Sequence, residues 1–223
     1  MLNTGAWFTT LPPATQAEVL AAGTIRSIPS GKYLYEEEHE PSGLHAVITG
    51  SLHVIGHSPD GNAVTVGIIR PGDWTGFLSC IDRLPHAYSG IAREDTQVFS
   101  LRPTQVTQIF ERDVATFRLL LAPDLAIRRK LGRYIVDDTS LSLAQRVAAR
   151  LADLGRSPYD YPVGPMASLR NISQEELAMS VAATRPRINE ILRDFAARGL
   201  IELGYGRITV IDPAEIDRFA RDG

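Results

Sequence analysis

Five polar side chains near the carboxyl end of the chain are of the types that recognise nucleic acids. They are Arg185, Arg187, Asn189, Glu190 and Arg193. The planar fork of arginine binds phosphate oxygens or pairs twice with guanine, and amide and carboxylate groups pair with adenine and cytosine. A solvated helix face can have the same composition, so the neighbouring elements must decide between the two interpretations.

Two short helices are predicted around this cluster. Ser173-Gln174-Glu175-Glu176 is a capping box, in which the serine hydroxyl accepts from the amide three residues later and the glutamate reaches back. The second helix begins after Thr184, a candidate N-cap. Its apolar residues recur at helical spacing and predict one buried face, formed by Ile188, Ile191, Leu192 and Phe195. The few residues between the two helices are typical of a helix-turn-helix.

The segments on either side of this pair favour DNA binding over a merely solvated face. A helix is predicted over Ala144–Leu154, and Asp212 caps a short terminal helix. Between them, Leu200–Leu203 and Arg207–Ile211 form a hairpin around Gly204-Tyr205-Gly206, where a winged helix has its wing. The predicted DNA-binding residues are Ser173, Thr184, Arg185, Arg187, Asn189, Glu190 and Arg193.

The first half of the chain predicts many short β-strands. Hydrophobic clusters alternate with turn signals such as Pro59–Asn62 and Pro71–Asp73. Alternation gives one strand a single inward face, formed by Ile48, Gly50, Leu52 and Val54. The same alternation places His53 on the polar outer face. Together these strands predict a jelly-roll barrel over about residues 20–103.

A helical period begins after Arg102. Apolar residues recur at helical spacing from Pro103 to about Asp138, and Pro123 is expected to end or kink the stretch, giving a short helix and then a longer one. The longer helix has one apolar face, formed by Leu125, Leu131 and Ile135. This face either packs on the barrel or forms the seam of a dimer, and the pattern alone favours neither.

The order of these parts resembles the Crp/Fnr family of bacterial transcription regulators across nearly the whole chain. The resemblance rests on four segments, Gly50–Val54, Pro71–Gly76, Ser173–Ala178 and Arg185–Leu192. It implies double-stranded DNA and a second copy of the chain as partners, with RNA polymerase as a further candidate partner. The seam of the two-fold homodimer would be formed by Leu125, Leu131 and Ile135.

The resemblance also implies an α+β fold in three parts. A cyclic-nucleotide-binding-like β-roll, the sensor domain, would cover residues 1–103. Connecting and dimerisation helices would cover residues 104–139, and a winged helix-turn-helix would cover residues 140–223.

The sensor domain departs from the family members that bind cyclic AMP. Those members have a glutamate for the ribose hydroxyl and an Arg-Ser pair for the cyclic phosphate. Here Phe77 follows Gly76, and Tyr88-Ser89 stands in place of Arg-Ser. A buried anion without a guanidinium partner has a large desolvation cost. We therefore expect another effector, or none, at a candidate pocket formed by Trp74, Gly76, Phe77, Tyr88 and Ser89.

The cysteine content limits the cofactors. A single cysteine, Cys80, cannot supply the iron–sulfur cluster of the oxygen-sensing members or an internal disulfide framework. Haem remains a candidate cofactor, although Cys80 and His86 do not match cleanly the ligand positions of the haem-binding members.

Composition and motifs narrow the class of protein further. The chain has 223 residues, 44% of them hydrophobic and 22% charged, which excludes disordered and fibrous classes. No apolar run approaches the roughly 20 residues that span a bilayer, and no basic leader is present, so we expect a cytoplasmic protein without a membrane partner. Nucleophile-elbow and phosphate-loop patterns are absent, and no catalytic or metal-binding residue is assigned.

One alternative from another class stays open. A cupin-type metal-dependent enzyme or small-molecule binder, with an accessory helical domain, would use a histidine pair of the barrel as metal ligands. The candidate pairs are His53 with His57 and His39 with His45.

Overall fold

The computed structural model describes residues 6–58, 61, 63–157, 169–170, 173–204 and 207–223. The chain divides into two compact units. The first contains Met1–Gly56 and Ile68–Arg128, and the second contains His57–Gly67 and Arg129–Gly223. The three domain ranges given above remain predictions.

Strands dominate the first half and helices the second, as the hydrophobic patterns predict. The helices are α1 (Ala6–Thr9), α2 (Pro13–Ala22), α3 (Phe77–Asp82), α4 (Pro103–Phe110), α5 (Val114–Ser140), α6 (Leu143–Gly155), α7 (Gln174–Ser180), α8 (Arg185–Ala197) and α9 (Pro213–Asp222). The strands are β1 (Thr24–Ile28), β2 (Tyr33–Tyr35), β3 (Leu44–Thr49), β4 (Leu52–His57), β5 (Ala63–Ile69), β6 (Trp74–Thr75), β7 (Ser89–Ala92), β8 (Thr96–Leu101), β9 (Leu169–Arg170), β10 (Ile201–Gly204) and β11 (Arg207–Val210). Of these elements, α1, α3 and β9 were not predicted.

The strands of the first half form two antiparallel sheets. Their orders are β1-β8-β3-β6 and β2-β7-β4-β5. Val47 pairs with Val98 in the first sheet, and His53 pairs with Ile91 in the second. The residues buried in this part include Leu44, Val47, Leu52, Ile55, Val98 and Leu101. The predicted β-roll is confirmed.

The expectation of one continuous strand through residues 48–54 was wrong. Strand β3 ends at Thr49 and β4 begins at Leu52, because the chain reverses at Gly50, whose φ of 79° suits glycine. A Cβ atom at Gly50 would lie 2.5 Å from Oγ1 of Thr96, so the turn also leaves no room for a side chain. His53, expected on the outer face, is fully buried, and so is its neighbour Leu52, so both faces of β4 are covered at its start.

A short helix and then a longer one follow Arg102, as predicted, but Pro123 does not end either of them, and a kink at Pro123 stays a prediction. Pro123 lies inside α5, and the break comes earlier, before Val114. Asp113 stabilises the new start of the helix, since its carboxylate accepts from the backbone N–H of Thr116 at 2.8 Å. Proline removes the N–H that would bond the Leu119 carbonyl, and Nε1 of Trp7 donates to that carbonyl at 2.7 Å instead.

The second unit has a helical core beside a small sheet of order β10-β11-β9. Leu151, Leu192 and Phe195 are fully buried. The rings of Phe195 and Phe219 pack edge to face with their centroids 5.1 Å apart, which joins α8 to α9. The predicted turn residues Tyr205 and Gly206, and most of the predicted turn Pro59–Asn62, lie outside the described residues. Among the helices that the structure describes, none is both long and apolar enough to cross a membrane.

Candidate nucleic-acid interface

The predicted capping box begins α7. The hydroxyl of Ser173 accepts from the Glu176 backbone N–H at 3.0 Å, and Oε2 of Glu176 accepts from the Ser173 N–H at 2.8 Å. Both helix-terminal donors are therefore satisfied within the box. Leu177 and Ala178 turn inward and are buried, so α7 is fixed as the first helix of the pair. A DNA contact by Ser173 stays a prediction.

The turn between α7 and α8 spans only Val181 to Thr184. Ala182 has a φ of 51°, in the left-handed region, and the Ala183 N–H donates to the Ala178 carbonyl at 2.9 Å. Thr184 is the N-cap of α8, as the sequence predicts, but its side chain makes no capping hydrogen bond. The helix-turn-helix arrangement that the spacing predicts is present.

The two faces of α8 differ sharply in burial. Ile188, Leu192 and Phe195 are completely buried, and Ile191 is half-buried. The other side of the helix exposes the predicted contact residues Arg185, Arg187, Glu190 and Arg193, while Asn189 is half-buried. A buried apolar stripe and an exposed polar face are what a recognition helix needs, because one face must hold the domain and the other must reach base edges.

Charges on the exposed face are partly compensated within the helix. Arg187 Nη1 donates to Glu190 Oε2 at 3.0 Å, and Arg198 lies 3.6 Å from Asp194. Arg185 and Arg193 form no ion pair with any residue that the structure describes. These two guanidinium groups are therefore available to an anionic partner such as the phosphate backbone.

A hairpin follows α8 at the place predicted for a wing. Leu203 pairs with Ile208 and Gly204 pairs with Arg207, and β11 pairs on its other side with β9. The side chain of Arg207 lies close to Gly204. A Cβ atom built on Gly204 would be 3.6 Å from Nε of Arg207. The hairpin thus carries an exposed cation beside its turn.

The residues of the candidate effector pocket do not share one environment. Trp74 and Phe77 are buried among aromatic rings, with Phe77 edge-on to Trp7 and Trp74 stacked on Phe8 at 5.6 Å. Tyr88 is 39% exposed. Their role toward an effector stays a prediction, since packing alone accounts for the two buried rings.

The other two pocket candidates, Gly76 and Ser89, each have a role in the local backbone structure. Gly76 has a φ of 93°, and a Cβ atom there would lie 2.1 Å from the Gly43 carbonyl oxygen, so glycine is required by the close approach of two chain segments. Ser89 is buried, and its hydroxyl accepts from the Glu37 N–H at 2.9 Å.

Sequence reasoning missed a buried polar network in the β-roll. The Ser42 hydroxyl lies 3.0 Å from His45 Nε2 and 2.9 Å from His86 Nε2, and the Ser42 N–H donates to the same His86 nitrogen. Burial lowers the pKa of His45 to about 3, and burial also lowers the pKa of His86. Both imidazoles are neutral at pH 7, and no periodic signal in the sequence indicates that they meet.

The histidines do not form a metal site among the described residues. No group of three or more histidine, cysteine, aspartate or glutamate side chains is placed there to hold a metal ion. His45, one candidate ligand, is bonded to Ser42 and to the Ser100 hydroxyl, 2.9 Å from Nδ1. Burial raises the pKa of the Cys80 thiol to about 12, so this cysteine is a thiol at neutral pH.

Helix α5 exposes apolar side chains along one side. Leu125 is 52% exposed, Leu131 44% and Ile135 71%. At 3.6 residues per turn, these three residues and Val136 fall within less than half of the helix circumference. The side of α5 that the sequence predicts as a seam is thus uncovered in the single chain.

Comparisons with known proteins match both halves of the chain. The model of the cyclic nucleotide-binding domain matches residues 25–113, and the model of the Crp-like helix-turn-helix domain matches residues 145–219. The CRP-like cAMP-activated global transcriptional regulator of Mycobacterium tuberculosis is 27% identical over 194 residues, 86% of each chain. The cyclic AMP receptor protein of Thermus thermophilus is 26% identical over 196 residues, 87% of each chain.

Solved structures share the fold over nearly the same length. FixK2 from Bradyrhizobium japonicum superposes with a TM-score of 0.72 at 18% identity, covering 88% of this chain and 96% of that chain. The catabolite activator protein of Thermus thermophilus gives a TM-score of 0.53 at 26% identity, covering 96% and 97%. The relative from Mycobacterium tuberculosis is named as a transcriptional regulator, so the alternative of a metal-dependent enzyme is not favoured.

Proposed function

Because the chain belongs to the Crp/Fnr family of transcription regulators, we propose that it acts as a homodimer that binds a pseudo-palindromic DNA operator through α8. The observation that carries this proposal is the geometry of α7 and α8. A capped helix, a tight turn and a second helix that exposes Arg185, Arg187 and Arg193 follow one another in the order a major-groove reader requires.

The dimer is supported by α5. Its uncovered residues Leu125, Leu131 and Ile135 would each be buried against the same face of a second copy, as in any two-fold interface. A two-fold dimer presents two copies of α8, so we propose half-sites about one helical turn of DNA apart. We assign residues 1–103 to the sensor, 104–139 to the connecting and dimerisation helices and 140–223 to DNA binding.

We propose that cyclic AMP is not the effector of this chain. Both relatives described above by sequence carry cyclic AMP in their names. Here Phe77 offers no acceptor for a ribose hydroxyl and is packed against Trp7, and Tyr88 offers no cation for a phosphate. The effector is another molecule, or the protein binds its operator without one. Its site of action is the cytoplasm, where its DNA is, and RNA polymerase is a further candidate partner.

Selection from random DNA tests the proposed function. Purified full-length protein is incubated with a library of random duplexes, and the bound molecules are sequenced over several rounds. The expected result is an inverted repeat whose half-sites are about 10 base pairs apart from centre to centre. Recovery of no common sequence, at a salt concentration that keeps the protein folded and dimeric, would contradict it.

A further inference from the structure

Viewed down the helix axis, the exposed face of α8 has a centre and two edges. The helix turns about 100° per residue. Ile188, Leu192 and Phe195 are fully buried and define the inward side. Glu190 lies almost diametrically opposite that side, whereas Arg187 lies about 60° farther round, toward one edge. In a major groove, the centre of the exposed face meets the base edges and its margins meet the backbone.

An acidic residue at this centre is unexpected on a surface that approaches DNA, since phosphates repel it. The structure shows how its charge is compensated. Oε2 of Glu190 accepts from Nη1 of Arg187 at 3.0 Å, and both side chains are 66% exposed. An exposed pair of this kind adds little to the stability of the fold. In the structure the Glu190 carboxylate is turned toward Arg187, and the pair is neutral overall.

The chemistry of a carboxylate restricts what it can recognise. An ionised carboxylate only accepts hydrogen bonds. On the floor of the major groove, the donors are the amino groups of cytosine and adenine, while guanine N7 and O6 and thymine O4 are acceptors. A carboxylate would therefore bond an amino group and be repelled by guanine and thymine. Cytosine is favoured over adenine, because the N7 acceptor of adenine lies beside its amino group.

We propose that Glu190 makes DNA recognition depend on a cytosine at one position of each half-site, and that Arg187 is the positioning residue for its carboxylate. This inference rests on the proposed binding of DNA by α8. It assigns distinct roles to two neighbouring charged residues: Glu190 reads a base, and Arg187 acts through Glu190 at the edge of the groove.

The test compares Glu190→Gln with Asp194→Asn. Asp194 is the matched control, because it lies one turn farther along the same helix, is also paired with an arginine, at 3.6 Å, and loses the same charge. Each protein first selects its preferred sequence from random half-sites. Fluorescence anisotropy then gives the Kd for four duplexes that differ only at the cytosine position.

The wild-type protein is expected to prefer cytosine there by about 5- to 150-fold. Glu190→Gln should lose this preference or shift it to adenine, because a glutamine amide pairs with both the amino group and N7 of adenine. Asp194→Asn should keep the wild-type preference and change affinity alike for all four duplexes. Arg187→Gln should reduce the discrimination at this same position, and Arg187→Lys, which keeps a cation, should restore part of it.

An unchanged base preference in Glu190→Gln would overturn the inference. The same shift in Asp194→Asn would also overturn it, since the effect would then come from charge and not from base contact. These results leave the proposed function standing. Failure of the wild-type protein to select any sequence would overturn both.

Discussion

The ring of Phe77 packs edge-on against the ring of Trp7, with centroids 4.8 Å apart and planes at 85°. Trp7 also contacts the rings of Trp74 and Phe110, at 5.2 and 6.0 Å. Phe77, which follows Gly76, is therefore part of an aromatic cluster that joins α1 to the β-roll. A glutamate at this place could not face a ribose without leaving a buried carboxylate among apolar rings.

We predict that the protein does not bind cyclic AMP or cyclic GMP with micromolar affinity. Tyr88 and Ser89 offer only neutral donors, and neutral donors compensate a buried phosphate less well than a bidentate arginine. Isothermal titration calorimetry on the purified full-length protein measures this directly. Micromolar binding of either nucleotide, coupled to tighter operator binding, would mean that the pocket holds the phosphate in another way.

A second prediction concerns the carbonyl of Leu119, which Pro123 leaves without a helical donor. Trp7→Phe keeps an aromatic ring but removes the donor, so we expect a loss of about 1–3 kcal/mol in the free energy of unfolding from the unsatisfied carbonyl. In the Pro123→Ala background the restored backbone N–H serves that carbonyl, and Trp7→Phe should cost less. Urea unfolding of the four proteins gives the coupling energy. Equal losses in both backgrounds would contradict the account of Pro123.

A third prediction tests the seam on α5. Leu131→Glu puts two like charges into a two-fold interface and should weaken the dimer at least tenfold, or about 1.4 kcal/mol. Leu84→Glu is the control, because Leu84 is an equally apolar residue, 60% exposed, outside α5. Light scattering over a concentration series gives the dissociation constants. A Leu131→Glu protein as dimeric as the control would place the interface elsewhere.

A fourth prediction follows from the buried histidines. Burial, with Arg26 and His86 nearby, holds the pKa of His45 at about 3 in the folded protein, below its ordinary value near 6.5. The unfolded chain therefore binds the extra proton first, and stability should fall as the pH drops below about 6.5 and continue to fall toward pH 3. From pH 6.5 to 5, one such group contributes at most about 2 kcal/mol.

Urea unfolding between pH 5 and 8 checks this dependence. His45→Asn should make the profile shallower, with the lowered pKa of His86 leaving a smaller dependence, whereas His57→Asn, at an exposed histidine, should leave it as in the wild type. A profile that His45→Asn does not change would show that His45 is not the group responsible.

The DNA-binding part was predictable because its signals are local. The capping box at Ser173, the N-cap at Thr184 and the apolar stripe of α8 each depend on residues within one or two turns. The structure places them as the spacing predicts. Strand boundaries were harder to predict, since a tight turn at Gly50 interrupts an alternation that looks continuous in the sequence.

Contacts between distant residues could not be predicted from the pattern. Trp7 and Leu119 are 112 residues apart, and Ser42 and His86 are 44 apart. Pro123 was expected to end or kink the helix because proline removes a hydrogen bond, but α5 continues past it and a side chain from α1 replaces the missing donor. Likewise, the packing of the pocket candidates Trp74 and Phe77 against Trp7 can be seen only in the folded chain.

One titration tests most directly whether α8 is the element that reads DNA. Fluorescence anisotropy compares the wild type, Arg185→Ala, Arg187→Ala and Arg221→Ala on a selected operator and on a scrambled duplex at moderate salt. Arg221, exposed on α9, is the control for the loss of one positive charge. We expect Arg185→Ala to lose about 1–3 kcal/mol of binding free energy on the operator, and Arg221→Ala to bind like the wild type. Unchanged operator affinity in Arg185→Ala, and equally in Arg187→Ala, would contradict the assignment of α8 as the recognition helix.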